Sequence, residues 1–174
     1  VAFEDVGFSF RDMLAWNKVN AAFKAQRISK VYGRRNDFVN ADKFADWRVG
    51  NLRPVFEPIL WFVKPYQQGG TISDNMLRSG VGAYNLEAWN KYVKHGDNLI
   101  VAPNEHSDRG SHPTQKPIKL LKALIELTTQ KGQVVLDPFA GSGSTLVAAK
   151  ELMREYVGFE ISKEYYDNAI ARLK

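Results

Sequence analysis

The fold is decided by the stretch VVLDPFAGSGSTLVAAKEL, which runs from Val134 to Leu152. Its opening letters, VVLD, predict a buried strand. Gly141 and Gly143 predict a tight turn, because glycine adopts positive φ angles without steric cost. The residues from Ser144 to Met153 then predict a helix. A strand that feeds a helix through a short glycine turn is typical of an α/β protein.

The alternation of helix and strand continues on both sides of this stretch. Upstream, Thr114 is predicted to cap a helix that holds Pro117 in its first turn and is ended by Gly132. The apolar face of that helix has helical spacing: Ile118, Leu121, Leu124, Ile125 and Thr128. Downstream, Tyr156 to Glu160 predicts a second strand, and Ser162 caps a final helix. This order predicts an α/β fold with a mostly parallel sheet and helices on both faces.

The first two thirds of the chain are less regular. A strand is predicted around Leu14 to Trp16, and a helix over Ala21 to Tyr32. Val55 to Lys64 is rich in aromatic and branched residues between two prolines, and it predicts a buried strand. Tyr66 to Gly110 predicts long loops with a short helix near Leu86 to Val93. Loops of this length in a compact domain are usually functional.

Composition limits the class of protein. The 174 residues suffice for one domain, and 44% are hydrophobic, as in ordinary globular proteins. The sequence has no cysteine, which excludes disulfides and thiolate metal sites and is consistent with the cytoplasm. No apolar run is long enough to span a membrane, so we expect no membrane partner, and we assign no metal ligand.

The net charge of +5 is consistent with a polyanionic partner. The segment KAQRISKVYGRR contains no acid, and its cations are Lys24, Arg27, Lys30, Arg34 and Arg35. A solvated helix face would have the same composition. The segment alone therefore leaves both interpretations open.

A ligand site is predicted where the glycine turn follows its strand. In open α/β sheets, ligands bind beyond the carboxyl ends of the strands. The turn offers free N–H groups at a helix start, together with the hydroxyls of Ser142, Ser144 and Thr145. Glu160 ends the next strand, 19 residues after Gly141, and a carboxylate there can accept both hydroxyls of a ribose.

The glycine turn has three other interpretations. An NAD site needs a third glycine, but Leu146 stands at that position. Asp137, directly before the turn, can bind the ammonium group of an amino-acid moiety. S-adenosylmethionine has such a group, whereas NAD lacks it. A phosphate-binding loop is excluded because the sequence has no G-x-x-x-x-G-K-[ST]. The glycines could also serve only to turn the chain, but this would leave the pairing of Asp137 with Glu160 unexplained.

Three segments together resemble the β-class amino-methyltransferases of DNA: HPTQKP (His112 to Pro117), the Val134 to Leu152 stretch, and YVGFEISKEYYDNAIARL (Tyr156 to Leu173). GFSFRDMLAWNK, LRPVFEPILWFVKPY and GGTISDN resemble the family more loosely. The resemblance implies a Rossmann-like methyltransferase fold and S-adenosylmethionine as cofactor. It also implies methyl transfer to an exocyclic amino group of a flipped base, with adenine N6 favoured over cytosine N4.

The resemblance also implies roles for individual residues. Asp137 would hold the methionine ammonium, Glu160 the ribose, and Phe139 and Ile161 would lie against the cofactor, Ile161 beside its adenine. Three residues would bring backbone close to the cofactor: Gly141, Ser142 and Gly143. Two residues before the predicted helix would bind the methionine carboxylate: Thr114 and Lys116.

The catalytic motif of this family is absent. It consists of Asp, Asn or Ser followed by Pro-Pro and an aromatic residue, and no two prolines are adjacent here. Its expected place is upstream of Val1. We therefore expect a domain that is incomplete at its N-terminus and inactive alone, and we assign no catalytic residue.

The resemblance gives each part of the single predicted domain, residues 1–174, an expected role. Residues 1–65 would supply strands and the basic segment, 66–111 target recognition, and 112–174 the cofactor half. The candidate contacts to DNA phosphates are Arg27, Lys30, Arg34 and Arg35. The expected partners are double-stranded DNA, a second copy of the chain and a cognate restriction endonuclease. Trp47 or Trp89, if exposed, could serve self-association, although most Trp side chains are buried in the core.

Two other functions stay open from the sequence alone. One is a non-catalytic DNA-binding protein that keeps the cofactor fold. The other is an NAD-dependent oxidoreductase.

Overall fold

The structure is a computed structural model that describes residues 2–21, 25–66, 69–103 and 115–174. Its helices and strands, in chain order, are α1 Ala2–Asp5, β1 Ser9–Asn17, β2 Gln26–Arg27, α2 Ile28–Gly33, α3 Phe38–Lys43, β3 Arg48–Val49, β4 Phe56–Val63, α4 Ile72–Ser79, α5 Leu86–Trp89, β5 Leu99–Val101, α6 Ile118–Thr128, β6 Val134–Asp137, α7 Ser144–Glu151, β7 Glu155–Gly158 and α8 Lys163–Leu173. None of the helices within these ranges has the length and apolarity needed to cross a lipid bilayer.

The strands form three sheets. The largest has the order β4-β1-β5, in which β4 runs antiparallel to β1 and β5 runs parallel to it. Strands β6 and β7 form a parallel pair, and β2 and β3 form a two-residue antiparallel ladder. The predicted order of helix, strand, helix, strand and helix over 118–173 is confirmed by α6, β6, α7, β7 and α8.

Helix α6 connects the two larger sheets. One set of its side chains packs on β1 and β5, through Leu120, Ala123 and Leu127. Another set packs with α7, β6 and β7, through Ile118, Leu121 and Ile125. The core of the molecule therefore lies along α6.

Trp16 anchors the larger of these two core clusters. Its side chain is 2% exposed, and its indole Nε1 donates a hydrogen bond to the carbonyl oxygen of Ala102 at 2.7 Å. A buried indole N–H needs such a partner, because an unpaired buried donor is costly. Trp89 also lies in this cluster and is 3% exposed, so it is unavailable for the self-association considered from the sequence. Trp47, by contrast, is 66% exposed.

The sheet faces that point away from α6 are exposed. Each strand alternates, with one side chain towards the helices and the next towards solvent. The outward residues include large apolar ones: Met13, Phe56, Leu60, Leu99, Val101, Val134, Leu136 and Val157. The predictions of buried strands over 55–64 and 134–137 therefore need correction: both strands exist, but each is only partly buried, on one face.

Three predictions of local structure need correction. A single helix over 21–32 is wrong, because Gln26–Arg27 is a strand and the helix begins only at Ile28. The N-cap position of α6 is Pro117, whereas the predicted cap, Thr114, lies outside the described residues. The loop-rich region contains an unpredicted helix, α4. Its start is a capping box, in which Thr71 and Asp74 hydrogen-bond each other's backbone.

Candidate cofactor site

The glycine turn lies at the carboxyl ends of β6 and β7. In the parallel register, Asp137 at the end of β6 pairs with Gly158 at the end of β7. Beyond this pair, Phe159 N–H donates to the Asp137 carbonyl at 3.0 Å, and Ala140 N–H donates to the Phe159 carbonyl at 2.8 Å. The turn is thereby held beside the segment that leads to Glu160.

Asp137 is oriented by the turn itself. Its side chain is half-buried, and its Oδ1 accepts the backbone N–H of Phe139 at 3.0 Å. This short-range bond fixes the carboxylate at the end of the strand. A carboxylate has acceptor capacity beyond one hydrogen bond, so the same group can also bind a cation.

Glu160 spans the turn. Its Oε2 accepts the backbone N–H of Gly141 at 2.8 Å, and its Oε1 accepts the backbone N–H of Ser162 at 2.8 Å. The structure therefore brings Glu160 to the glycine turn, as the spacing predicted. A carboxylate can accept about four hydrogen bonds, so a group in this position can also accept bonds from hydroxyl groups.

Gly143 packs closely against α8, in addition to the cofactor role that the resemblance implies. Its φ angle is 79°, and a Cβ placed on it would lie 2.8 Å from the Cβ of Ala169 on α8. Glycine is therefore needed here for close packing of the turn against α8. Gly141, with a φ angle of 53°, supplies the conformational freedom at the other end of the turn.

Arg172 holds the turn from behind, and the sequence analysis missed it. Its Nη1 donates to the Ser142 carbonyl at 2.7 Å and to the Ser142 and Ser144 hydroxyls at 3.2 and 3.0 Å. Ser142 is 4% exposed, so its polar atoms need these partners. Arg172 lies near the end of α8, 30 residues away in sequence, and no local motif marks such a contact.

Two apolar side chains beside the turn are strongly exposed. Phe139 is 88% exposed, and Ile161 is fully exposed. They follow the ends of β6 and β7 and therefore lie on the loops that form the predicted site. Exposed apolar groups next to fixed carboxylates are typical of a ligand site, because the ligand would cover them.

The segment before α6 reaches the same turn. The Ser142 hydroxyl donates to the Gln115 side-chain oxygen at 3.3 Å. Lys116 forms an ion pair with Glu57 at 2.7 Å, and its Nζ lies 5.0 Å from the centre of the Trp16 ring. The structure thus brings the end of the HPTQKP motif to the turn, with Lys116 paired to a carboxylate of the protein. Thr114 lies outside the described residues.

Glu57 lies between two cations, Lys116 and Lys18, with the Lys18 Nζ at 3.0 Å from its Oε1. Burial raises the pKa of Glu57, but the hydrogen bonds from Lys116 and Lys18 outweigh it and leave the pKa below its ordinary value. The group therefore stays ionised at neutral pH and keeps Lys116 in place.

The predicted phosphate contacts lie in a separate unit, residues 25–53, which we call the basic module. A cavity of about 370 Å³ in it is lined by Arg27, Lys30 and Arg34, and also by Arg48, which the sequence analysis did not single out. Arg35 does not line this cavity, and its guanidinium carbon lies 5.8 Å from the centre of the Tyr32 ring. The structure thus brings three of the four predicted cations together.

A family model described as DNA methylase, of the N6 and N4 methyltransferase type, matches residues 1–171. The chain belongs to this DNA methylase family. Among its relatives, the chain is 50% identical over 180 residues to the type II methyltransferase M.HindIII of Haemophilus influenzae. That match covers 99% of this chain and 58% of M.HindIII. The chain therefore spans less than two thirds of this relative's length.

A shorter match involves the type II methyltransferase M2.DpnII of Streptococcus pneumoniae. It has 49% identity over 65 residues, which covers 37% of this chain and 24% of that protein.

Solved structures confirm the Rossmann-like methyltransferase fold of this chain. The M1.HpyAVI–SAM complex matches with a TM-score of 0.62 and 28% identity, over 99% of this chain and 66% of that one. The cytosine-N4-specific PvuII DNA methyltransferase matches with a TM-score of 0.65 over 99% of this chain and 54% of that one. Its identity is 17%, so this second match concerns the fold alone.

Proposed function

We propose that this DNA methylase transfers a methyl group from S-adenosylmethionine to an exocyclic amino group of a base flipped out of double-stranded DNA. The observation that carries the proposal is the pair of carboxylates at the ends of β6 and β7. Asp137 and Glu160 are both oriented by backbone N–H groups of the same turn or its flank. Family membership and the M.HindIII relative support the reaction type.

The groups present fit S-adenosylmethionine. Asp137 offers a carboxylate to the methionine ammonium, and Glu160 offers acceptors to the ribose hydroxyls. Phe139 and Ile161 provide exposed apolar surface beside them for the cofactor, with Ile161 beside its adenine. When bound, the cofactor supplies an activated methyl group on its sulfonium. The role of the protein is to bind and orient this group in line with the amino nitrogen of the base.

The methionine carboxylate would be bound by Lys116 together with Thr114. Lys116 is half exposed and is paired with Glu57, so a second carboxylate could approach the same ammonium group. An ammonium has three donors and can serve both. The pairing with Glu57 and the position over the Trp16 ring preorganise Lys116 for this contact.

The finer details of the reaction are also part of the proposal. We favour adenine N6 over cytosine N4 as the methyl acceptor, on the family resemblance of the motifs. The 174-residue sequence has no Pro-Pro motif to hold the flipped base. We therefore expect this chain alone to bind the cofactor without transferring its methyl group.

A calorimetric titration of the chain with S-adenosylhomocysteine, with NADH in parallel, tests the proposal. We expect saturable binding of S-adenosylhomocysteine and none of NADH. Asp137→Asn should abolish most of the affinity, since it removes the charge opposite the ammonium group. Asp167→Asn, an exposed aspartate that pairs with Lys163 on α8, is the matched control and should bind as the wild type does.

Failure of a folded chain to bind S-adenosylhomocysteine would refute the cofactor assignment for this chain. Binding of NADH instead would favour an oxidoreductase. A third outcome would favour a non-catalytic DNA-binding protein. In that outcome the protein binds S-adenosylhomocysteine and DNA, but a longer form with a Pro-Pro motif transfers no methyl group to adenine or cytosine.

Two partners besides DNA belong to the proposal: a second copy of the chain and a cognate restriction endonuclease. The exposed apolar side chains on the outer sheet faces, such as Leu60 and Leu136, support self-association. Sedimentation equilibrium would measure it, and a monomer at micromolar concentration would contradict the homodimer. Co-purification with an endonuclease encoded next to this gene would test the second partner.

A further inference from the structure

The basic module carries most of the net charge of the chain. Seven cations and three aspartates occur between residues 25 and 53: Arg27, Lys30, Arg34, Arg35, Lys43, Arg48 and Arg53, against Asp37, Asp42 and Asp46. The module therefore has a net charge of +4, whereas the entire chain has +5. Such a concentration of positive charge on a small unit favours contact with a polyanion.

The tertiary structure gathers four of these cations around one cavity of about 370 Å³. Arg27 comes from β2, Lys30 from α2, Arg34 from the C-cap of α2, and Arg48 from β3. The other lining residues, Ala25, Gln26 and Val31, carry no charge. The lining residues therefore bring four positive charges and no carboxylate to this cavity.

The backbone places two of these pairs in unfavourable positions. Arg27 lies directly opposite Arg48 in the ladder of β2 and β3, and like charges in that position destabilise a strand pair. Lys30 and Arg34 are four residues apart, and like charges at this spacing destabilise a helix. An anion in the cavity would offset both repulsions.

We propose that this cavity binds a backbone phosphate of duplex DNA and that Arg48 completes the site. The proposal rests on the proposed function, which makes double-stranded DNA the substrate. Arginine binds phosphate oxygens through two parallel N–H bonds, so Arg27, Arg34 and Arg48 supply a directional cage and Lys30 adds a point charge. Such a contact positions the duplex and reads no base, so its loss should weaken binding to all sequences alike.

The test compares cation removals inside and outside the cavity. DNA binding is measured by fluorescence anisotropy with a labelled duplex over a series of salt concentrations. Arg34→Gln and Arg48→Gln should each weaken binding several-fold and lower the slope of log K against log salt by about 1, because one phosphate contact is lost. Arg35→Gln removes the same charge outside the cavity and should leave the slope unchanged. Equal effects of the three substitutions would overturn the proposal.

Thermal unfolding without DNA distinguishes loss of a ligand contact from loss of structure. Arg34→Gln and Arg48→Gln should each unfold in one cooperative transition and bind S-adenosylhomocysteine as the wild type does, so that weaker DNA binding reports a lost contact and not a lost fold. Loss of the unfolding transition together with weaker DNA binding in Arg48→Gln would assign Arg48 a structural role and overturn its place in the site. Arg34→Gln provides the independent check, since it removes a cavity cation from α2 rather than from the β2–β3 ladder.

A titration with inorganic phosphate distinguishes the DNA backbone from a free anion. Its readout is the change in tryptophan fluorescence at constant ionic strength, to which the exposed Trp47 beside Arg48 contributes together with Trp16, Trp61 and Trp89. We expect phosphate to compete with DNA for the wild-type chain but not to alter the weakened binding of Arg48→Gln. Phosphate binding that is lost in Arg48→Gln while DNA affinity stays unchanged would identify a free-anion site and overturn the proposal.

The cofactor titration separates this proposal from the proposed function. All three variants should bind S-adenosylhomocysteine as the wild type does, because the cavity is formed by the basic module and not by the turn after β6. If the cofactor fails to bind but the salt slopes behave as expected, the phosphate site stands and the cofactor assignment fails. If the wild-type chain binds cofactor but no DNA, the phosphate proposal fails alone.

Discussion

Gly143→Ala should destabilise the protein through two separate effects. The residue has a φ angle of 79°, a conformation that costs an L-residue with a side chain about 1–2 kcal/mol. Its new Cβ would also lie 2.8 Å from the Cβ of Ala169 and 3.2 Å from the Cα of the same residue. The second distance involves backbone, so α8 or the turn has to move.

The expected magnitude follows from these two contributions. Overpacking of a well-packed contact costs about 1–3 kcal/mol, so Gly143→Ala should lower the free energy of unfolding by roughly 3 kcal/mol in total. For a domain of this size, Tm falls by about 2–4 °C per kcal/mol, which predicts a decrease of roughly 6–12 °C. Urea unfolding and a thermal scan of the same samples measure both quantities.

Gly132→Ala is the matched control. Its φ angle is 80°, but a Cβ placed there has nothing within 4 Å. It should therefore show only the cost of the positive φ angle, about 1–2 kcal/mol. If the two substitutions lowered stability equally, the packing of the turn against Ala169 would not be tight, and the reasoning would be refuted. Ala169→Gly in the Gly143→Ala background should recover part of the loss, with a non-additive coupling energy.

Two further predictions concern the groups around the turn. Arg172→Met removes the Nη1 donor on which the Ser142 carbonyl and the Ser142 and Ser144 hydroxyls depend, so we expect a destabilisation of about 1–3 kcal/mol and weaker S-adenosylhomocysteine binding. An unchanged urea midpoint and affinity would contradict the role of Arg172. The pKa of Glu57 is lowered in the folded state, so its ion pairs with Lys116 and Lys18 stabilise the fold above the unfolded pKa of about 4.3. This contribution is lost as the pH falls through the lower folded pKa. The difference in free energy of unfolding between wild type and Glu57→Gln, measured in urea, should therefore be constant above about pH 5 and shrink in acid. Because Glu57 is partly exposed, this difference should stay below about 1 kcal/mol. A difference that does not change with pH would contradict the prediction.

Much of the fold between residues 118 and 173 could be predicted because its signals are local. The apolar spacing of α6, the VVLD strand and the glycine turn each depend on neighbours within a few residues. The helix α4 also had a local signal, since Thr71 and Asp74 form a capping box, but the surrounding loop-like composition hid it. The antiparallel direction of β4 could not be read from the sequence, because a strand pattern does not contain the direction of its partner.

The candidate site also has features that the sequence predicted and features that only the structure shows. The sequence alone determined that Asp137 and Glu160 would follow two successive strands, since the strand and turn chemistry places them there. Only the tertiary structure decided that Arg172 holds Ser142, that Gly143 packs on Ala169, and that Lys116 pairs with Glu57.

The same distinction applies to the basic module. The sequence determined that it is cationic, and the structure decided that Arg48 joins three other cations at one cavity while Arg35 does not. The physical reason is that charge and turn-forming tendency belong to a residue and its immediate neighbours. A contact between residues far apart in the chain exists only after the packing of helices and strands has brought their side chains together.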